Sequence, residues 1–180
     1  MIAYAITDPT TLKFTTLEDD LKRFSKRADM ILYRDKSTDM YAKNAQLFLA
    51  EAREHNFKKI LLHRSYKLAH KLGADGVHLT SNQFSEIREA KSLNLFVTIS
   101  THTKEEALKA QMLGADMITY SPIFKSPNKG TPKGVEELKE LIALVDTPVI
   151  ALGGILTQEQ IDLALESGAF GFASIRYFVD

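Results

Sequence analysis

Several short stretches of the 180-residue chain carry residue types that converge on anion and proton chemistry. Arg34 and Lys36 are two apart, so in extended backbone they point the same way, and two converging cations suit a phosphate or a pyrophosphate. A rim salt-bridged through the intervening Asp35 is the plain alternative. Leu152-Gly153-Gly154-Ile155 carries an apolar run into two glycines just before a helix start. Backbone amides bare of side chains approach an anion closely there, and the helix dipole adds to them; a tight turn is the other use of such a pair. The long segment from Ser121 to Lys133 offers hydroxyls, an amide and lysines, among them Ser126, Asn128 and Lys129. Connections of that length are more often functional than short ones, and this one suits a lid over an anionic ligand, or else a solvated basic loop. His63-Arg64, His78 and Ser100-Thr101-His102 lie at or just after other apolar runs, where an imidazole serves as a proton shuttle or as an ordinary core or rim side chain. His55 and His70 fall on helical segments and read as surface residues, and Thr80-Ser81-Asn82-Gln83 is polar without a carboxylate.

The elements that must position these residues are legible from periodicity. Short runs rich in Ile, Val, Leu and Tyr recur at Ile2–Ile6, Met30–Tyr33, Lys59–Leu62, Gly76–Leu79, Phe96–Ser100, Met117–Tyr120, Val149–Leu152 and Gly171–Ile175. Between them Leu17–Arg27, Met40–Glu54, Tyr66–Leu72, Phe84–Leu93, Lys104–Leu113, Val135–Val145 and Gln158–Glu166 have helical spacing. Thr103 with Glu106, and Thr157 with Gln160, have the spacing of capping boxes. Strands alternating with helices build a parallel sheet covered by helices.

A weak repeat sharpens the topology. Ala28-Asp29-Met30, Gly73-Ala74-Asp75-Gly76, Gly114-Ala115-Asp116-Met117 and Gly168-Ala169-Phe170-Gly171 each fall where a helix ends and an even-numbered strand begins. A four-fold recurrence about two βα units long fits a closed barrel of doubled units better than an open sheet. The predicted fold is therefore α/β, a compact (β/α)8 TIM barrel in one domain over residues 1–180, lacking the final helix because the chain stops directly after the eighth strand. The groove over strands eight and one is expected to be filled by a second subunit, making a homodimer, or by a rearranged terminal segment.

Composition narrows the function classes. Lys plus Arg number 23 and Asp plus Glu 23, so there is no global pull toward nucleic acid or an anionic membrane, and neither is expected as a partner. Cysteine is absent, which excludes disulfides, thiol catalysis and thiolate metal sites. The first residues are too briefly apolar for a signal peptide or a membrane span, and a cytoplasmic location is expected. There is no P-loop, no G-x-G-x-x-G, no H-E-x-x-H and no G-x-S-x-G.

Six segments in order resemble the thiamin phosphate synthase and TenI superfamily over nearly the whole chain. They are Tyr4-Ala5-Ile6-Thr7-Asp8, Leu32-Tyr33-Arg34-Asp35-Lys36, Gly73 through Leu79, Ser100-Thr101-His102-Thr103, Ser121-Pro122-Ile123-Phe124 and Ile150 through Ile155. The synthase joins a thiazole phosphate to a hydroxymethylpyrimidine pyrophosphate with Mg²⁺ assisting departure of pyrophosphate. The resemblance implies that Arg34 and Lys36 hold the pyrophosphate, that Ser126, Asn128 and Lys129 stand where the synthase has two hydroxyls and a lysine, and that Ser100 matches the synthase serine. It places the thiazole phosphate on Gly153 and Gly154, with Ile175 and Arg176 at the end of the last strand. Where synthases carry an Asn-Asp pair and a further acid for the metal, this chain has His63-Arg64 and Asn82-Gln83. TenI-type tautomerases carry a Gly-His pair where this chain has Ser121-Pro122. The resemblance thus implies a TenI-like protein of thiamin biosynthesis that binds a small phosphorylated thiazole, as a tautomerase using His102 or His63. The alternatives are a working synthase, to which alone Mg²⁺ belongs, with Lys129 in the reaction, and a non-catalytic phosphate-ligand sensor. No protein residue is expected to ligate a metal.

Overall fold

Each apolar run forms a strand because its alternate residues face two different apolar environments, the barrel interior and the undersides of the helices. The computed structural model describes residues 1–179 and closes eight parallel strands in sequence order. They are β1 (Ile2–Ile6), β2 (Met30–Tyr33), β3 (Lys59–His63), β4 (Gly76–Leu79), β5 (Phe96–Thr101), β6 (Met117–Tyr120), β7 (Val149–Leu152) and β8 (Gly171–Ser174), and β8 pairs with β1. The helices between them are α1 (Leu17–Ser25), α2 (Tyr41–Ala52), α3 (Tyr66–Leu72), α4 (Ile87–Ser92), α5 (Lys104–Leu113), α6 (Gly134–Ile142) and α7 (Gln158–Glu166). The predicted barrel is the observed one, with a 3-10 turn at Phe84–Glu86 where a continuous helix was expected, and with His63 inside β3 rather than after it.

Two apolar layers follow from the alternation. Tyr4, Ile6, Met30, Leu32, Leu61, Met117, Ile150 and Ala173 fill the barrel interior. Their neighbours along the strands, among them Ala3, Ala5, Ile31, Tyr33, Leu62, Val77, Ile99 and Ile118, pack outward beneath the helices.

The repeated Asp has a structural role at the bottom of the barrel. The carboxylates of Asp29, Asp75 and Asp116 accept the backbone N–H of Ala3, Ile60 and Val97 at the starts of β1, β3 and β5, at 2.9, 2.7 and 2.7 Å. Each aspartate therefore ties an even strand to the odd strand before it, which is why the motif recurs every second unit. Gly73 and Gly114 occupy the left-handed C-cap positions of α3 and α5.

The two expected capping boxes differ. Thr157 and Gln160 form the reciprocal pair. Thr103 accepts from the N–H of Glu106, but the Glu106 carboxylate reaches one residue further back and accepts the N–H of His102 at 2.6 Å. That bond fixes the backbone beneath a candidate site residue, and Gln160 likewise accepts the N–H of Leu156 at 2.8 Å in addition to its cap bond.

Beyond β8 the chain turns back over the barrel wall. Phe178 is fully buried, stacked on Phe172 at 5.7 Å and 7° and tilted against Phe24 of α1 at 6.4 Å. The rearranged terminal segment thus covers the groove between β8 and α1. Phe178→Ala is expected to lower unfolding free energy by about 3–5 kcal/mol. Chemical denaturation measures this, and a loss under about 1 kcal/mol would mean that the segment is not a structural cover.

Candidate functional site

The alternation that packs the interior continues past the strand ends and aims polar side chains into the mouth. Arg34 and Lys36 prolong the inward row of Met30 and Leu32, while His63 follows Leu61 in its own strand. Together with the loops they surround a cavity of about 440 Å³ at the carboxyl ends of the strands, the face where ligands bind in this fold. His63, His102 and Lys129, Arg34, Lys36, Ser100 and Ser126, and Gly153, Gly154, Ile175 and Arg176 all line it.

Asn128 does not. Lys129 N–H bonds the Ser126 carbonyl at 3.3 Å, and this turn directs residues 126 and 129 inward while Asn128, at φ 59°, sits exposed at its tip. The base of the same loop is anchored, with Ile123 and Phe124 N–H groups bonded to the carbonyls of Leu152 and Gly153 at 2.9 Å each.

Charge on this wall is one-sided. Arg34, Lys36, Arg64, Lys129 and Arg176 line the cavity, no carboxylate lines it, and none of the five is in an ion pair among the described residues. The nearby acids are engaged in turns: Asp35 accepts from the N–H and hydroxyl of Ser37, and Glu86 accepts from the Gln83 amide. Arg34 lowers the pKa of Lys36 more than its partial burial does, and Lys129 and Arg64 add to the effect. Such unrelieved repulsion is relieved by an anionic ligand.

A second set of groups suited to an anion lies across the mouth. Gly153 and Gly154 adopt φ of 100° and 71°, and a Cβ on them would sit 2.8 Å from Cα of Pro122 and 2.4 Å from the Lys125 carbonyl. Only glycine lets the β7 turn pass under the β6 loop. The backbone N–H groups of Gly153, Gly154, Ile155, Ile175 and Arg176 find no acceptor among the described residues, while all five residues line the cavity. This is a cradle of donors beside the start of α7, suited to a phosphate.

The floor of the cavity is a buried hydrogen-bonded row that sequence reading only half found. His78 bonds the Tyr4 hydroxyl through Nδ1 at 2.9 Å and Ser100 Oγ through Nε2 at 3.0 Å. Tyr4 is fully buried, its phenol pKa pushed well up by desolvation, so it stays protonated, and Nδ1 is the one partner its hydrogen has among the described residues. His78 then donates from Nε2 to Ser100, whose own hydrogen is left for a ligand. The signal was the inward alternation of Gly76 and His78 with Ser100 two strand positions above Thr98.

The histidines divide by environment. Burial lowers His63 to about 2, with His78, Arg34, Lys36 and Arg64 adding to the shift, and burial lowers His78 to about 3, with Arg34 contributing. Both are neutral at pH 7. His102 is half-buried, and its Nδ1 bonds the Ser121 carbonyl at 3.1 Å. The carbonyl only accepts and favours the hydrogen on Nδ1, which leaves the Nε2 lone pair free, while the Ser121 hydroxyl lies 3.3 Å from the same Nδ1. The hydroxyl of Tyr41 donates to the Tyr33 carbonyl and accepts the His63 N–H, both at 2.8 Å, stitching β2 to β3 beneath the cations.

The synthase resemblance brings Mg²⁺, which wants carboxylate oxygen. The wall has imidazole, amide, hydroxyl and cationic groups, and no group of three or more His, Cys, Asp or Glu among the described residues could hold a metal. The residues present do not fit a magnesium ion.

Fold and wall together define a (β/α)8 barrel whose mouth is lined by cations and glycine-rich backbone. The thiamine monophosphate synthase family model matches residues 3–178, and the chain belongs to that family, one of thiamin biosynthesis. The chain is 36% identical over 183 residues to a putative thiamine-phosphate synthase 2 of Aquifex aeolicus, covering 98% of this chain and 97% of that protein. It is 30% identical to a thiamine-phosphate synthase of Syntrophomonas wolfei, over 96% of this chain and 85% of the other. The solved thiamine phosphate pyrophosphorylase of Pyrococcus furiosus superposes with a TM-score of 0.82 at 26% identity, covering 97% of this chain and 85% of that one. Among the described residues no helix is long and apolar enough to cross a membrane.

The neutral histidines make stability depend on pH. With folded pKa values of about 2 and about 3, His63 and His78 take up protons only on unfolding, below the ordinary value near 6.5. Stability present at pH 7 is therefore lost as pH falls, by about 2 kcal/mol per histidine between pH 7 and pH 5. Urea titrations at both pH values should show this loss, and His78→Gln should reduce the difference; an unchanged difference would contradict the assignment.

Proposed function

We propose that the chain is a thiamine-phosphate synthase in the sense of coupling two phosphorylated substrates, rather than a binder of one. The observation that carries this is the presence of two anion-binding features on one cavity, the β2, β3 and β6 cations and the β7 and β8 amides. A thiazole phosphate anchored on Gly153, Gly154 and Arg176 holds its ring over the floor. A hydroxymethylpyrimidine pyrophosphate would set its anionic end among Arg34, Lys36, Arg64 and Lys129. The thiazole nitrogen lone pair forms the new C–N bond to the pyrimidine methylene, the methylene C–O bond breaks, and its electron pair leaves with pyrophosphate. The cations stabilise that developing charge, and the Ser100 hydrogen is available to the bound pyrimidine or to an oxygen of the leaving group.

One observation favours a second reading, a thiazole tautomerase. The hydrogen bond from His102 Nδ1 to the Ser121 carbonyl leaves Nε2 as a base on the cavity wall, whereas His63, held neutral by burial and surrounding cations, takes up a proton too weakly for that role.

The test is mass-spectrometric detection of thiamin phosphate after mixing the purified protein with thiazole phosphate and the pyrimidine pyrophosphate. Product at a catalytic rate is expected. Its absence, with isomerisation of a thiazole carboxylate phosphate that His102→Gln abolishes, would replace coupling by tautomerisation. Binding of thiazole phosphate with neither activity would leave a sensor. Gly154→Ala is expected to weaken thiazole phosphate binding by about tenfold or more, since losing backbone donors to a charged group costs at least about 1.5 kcal/mol. Calorimetric titration measures it, and unchanged affinity would remove the β7 turn from the phosphate site.

A further inference from the structure

We infer that Arg64 makes the pyrophosphate side of the cavity a metal-free site, one that takes the free polyanion and discriminates against its magnesium complex. The inference rests on the reading of this wall as the pyrophosphate subsite and names the ionic form of ligand that it recognises.

The backbone holds Arg64 in an unusual state for a purpose visible in its neighbours. It is a non-glycine residue at φ 69°, a conformation that L side chains adopt at a cost. Two hydrogen bonds pin it there. Its N–H donates to the His78 carbonyl at 2.9 Å, and its own carbonyl accepts from Nε2 of Gln83 at 2.9 Å. The pinned residue sits at the end of β3, its side chain on the cavity wall without an ion-pair partner among the described residues.

Gln83 makes the arrangement self-consistent. Its Oε1 accepts the N–H and hydroxyl of Thr80, while its Nε2 donates both to Arg64 O and to the Glu86 carboxylate. A carboxylate at this position could make none of the donations and would face Glu86 with like charge. The amide at position 83 and the cation at position 64 are thus one device. It positions a guanidinium where an oxygen-lined site would have needed acids, and it leaves no oxygen set for a hard divalent ion.

The charge balance agrees. Free pyrophosphate brings several negative charges to Arg34, Lys36, Arg64 and Lys129, and guanidinium forms paired hydrogen bonds with phosphate oxygens. Magnesium pyrophosphate brings fewer charges and a hydrated cation that those four side chains repel.

The experiment is calorimetric titration of sodium pyrophosphate into the full chain in metal-stripped buffer, repeated with excess Mg²⁺. Binding in the metal-free buffer, at least about tenfold weaker with Mg²⁺, is expected, since charge-assisted contacts are lost. Arg64→Gly fits the left-handed backbone and serves as the variant that keeps the fold, checked by circular dichroism. It should weaken metal-free binding by about tenfold or more and narrow the magnesium effect. Binding by the unsubstituted protein that needs Mg²⁺, or that Arg64→Gly leaves unchanged, would overturn the inference while keeping the pyrophosphate subsite. No pyrophosphate binding in either buffer, with thiazole phosphate still bound, would overturn the inference and the coupling reading together.

Discussion

The structure depends on one constraint: eight strands of four to six residues close into a parallel barrel only if every strand keeps its inward and outward faces in register. A one-residue slip would exchange the interior row for the helix-facing row along the whole strand. The three bottom aspartates resist this by fixing the starts of β1, β3 and β5. At the opposite end the same register decides chemistry, because the residues that follow the apolar interior are the ones that face the ligand. Leu32 hands over to Arg34 and Leu61 to His63, so the wall of the cavity is a continuation of the core.

Electrostatics separates that wall from the rest of the molecule. Positive and negative residues balance over the chain, yet among the described residues the cavity holds five cations and no acid. The acids are spent elsewhere, in helix caps, in turns and in ion pairs such as Lys58–Asp29 and Lys91–Asp116. Below the cations, burial keeps His63 and His78 neutral, so the floor contributes directed hydrogen bonds rather than further charge. The amides of the β7 turn and the hydrogen-bonded row from Tyr4 to Ser100 are held by the barrel itself, in an orientation suited to an anion.

How much of this was readable from residues alone depended on the range of the interaction. Strand rows, helix stripes and the position of Arg34, Lys36, Gly153 and Gly154 follow from local periodicity, which the barrel then obeys. Asn128 lies off the cavity wall because a turn inside a long loop decides which of three neighbouring polar side chains points inward, and no short-range pattern encodes that. The Thr103 box failed for a similar reason, since a glutamate can reach either of two adjacent amides. The coupling of Gln83 to Arg64, and of Phe178 to Phe172 and Phe24, joins residues that only the closed barrel brings together. The resemblance marked positions 64 and 83 as departures, but their hydrogen bond makes them a single substitution in physical terms.

The most direct test of the central claim, that two anion sites on one cavity act without a protein-held metal, is a crystal structure of the protein grown with thiamin phosphate and pyrophosphate in metal-stripped solution. The account predicts one phosphate on the amides of Gly153, Gly154 and Arg176, and pyrophosphate oxygens on Arg34, Lys36, Arg64 and Lys129. A structure in which pyrophosphate binds elsewhere, or enters only with a divalent ion held by protein oxygens, would contradict it.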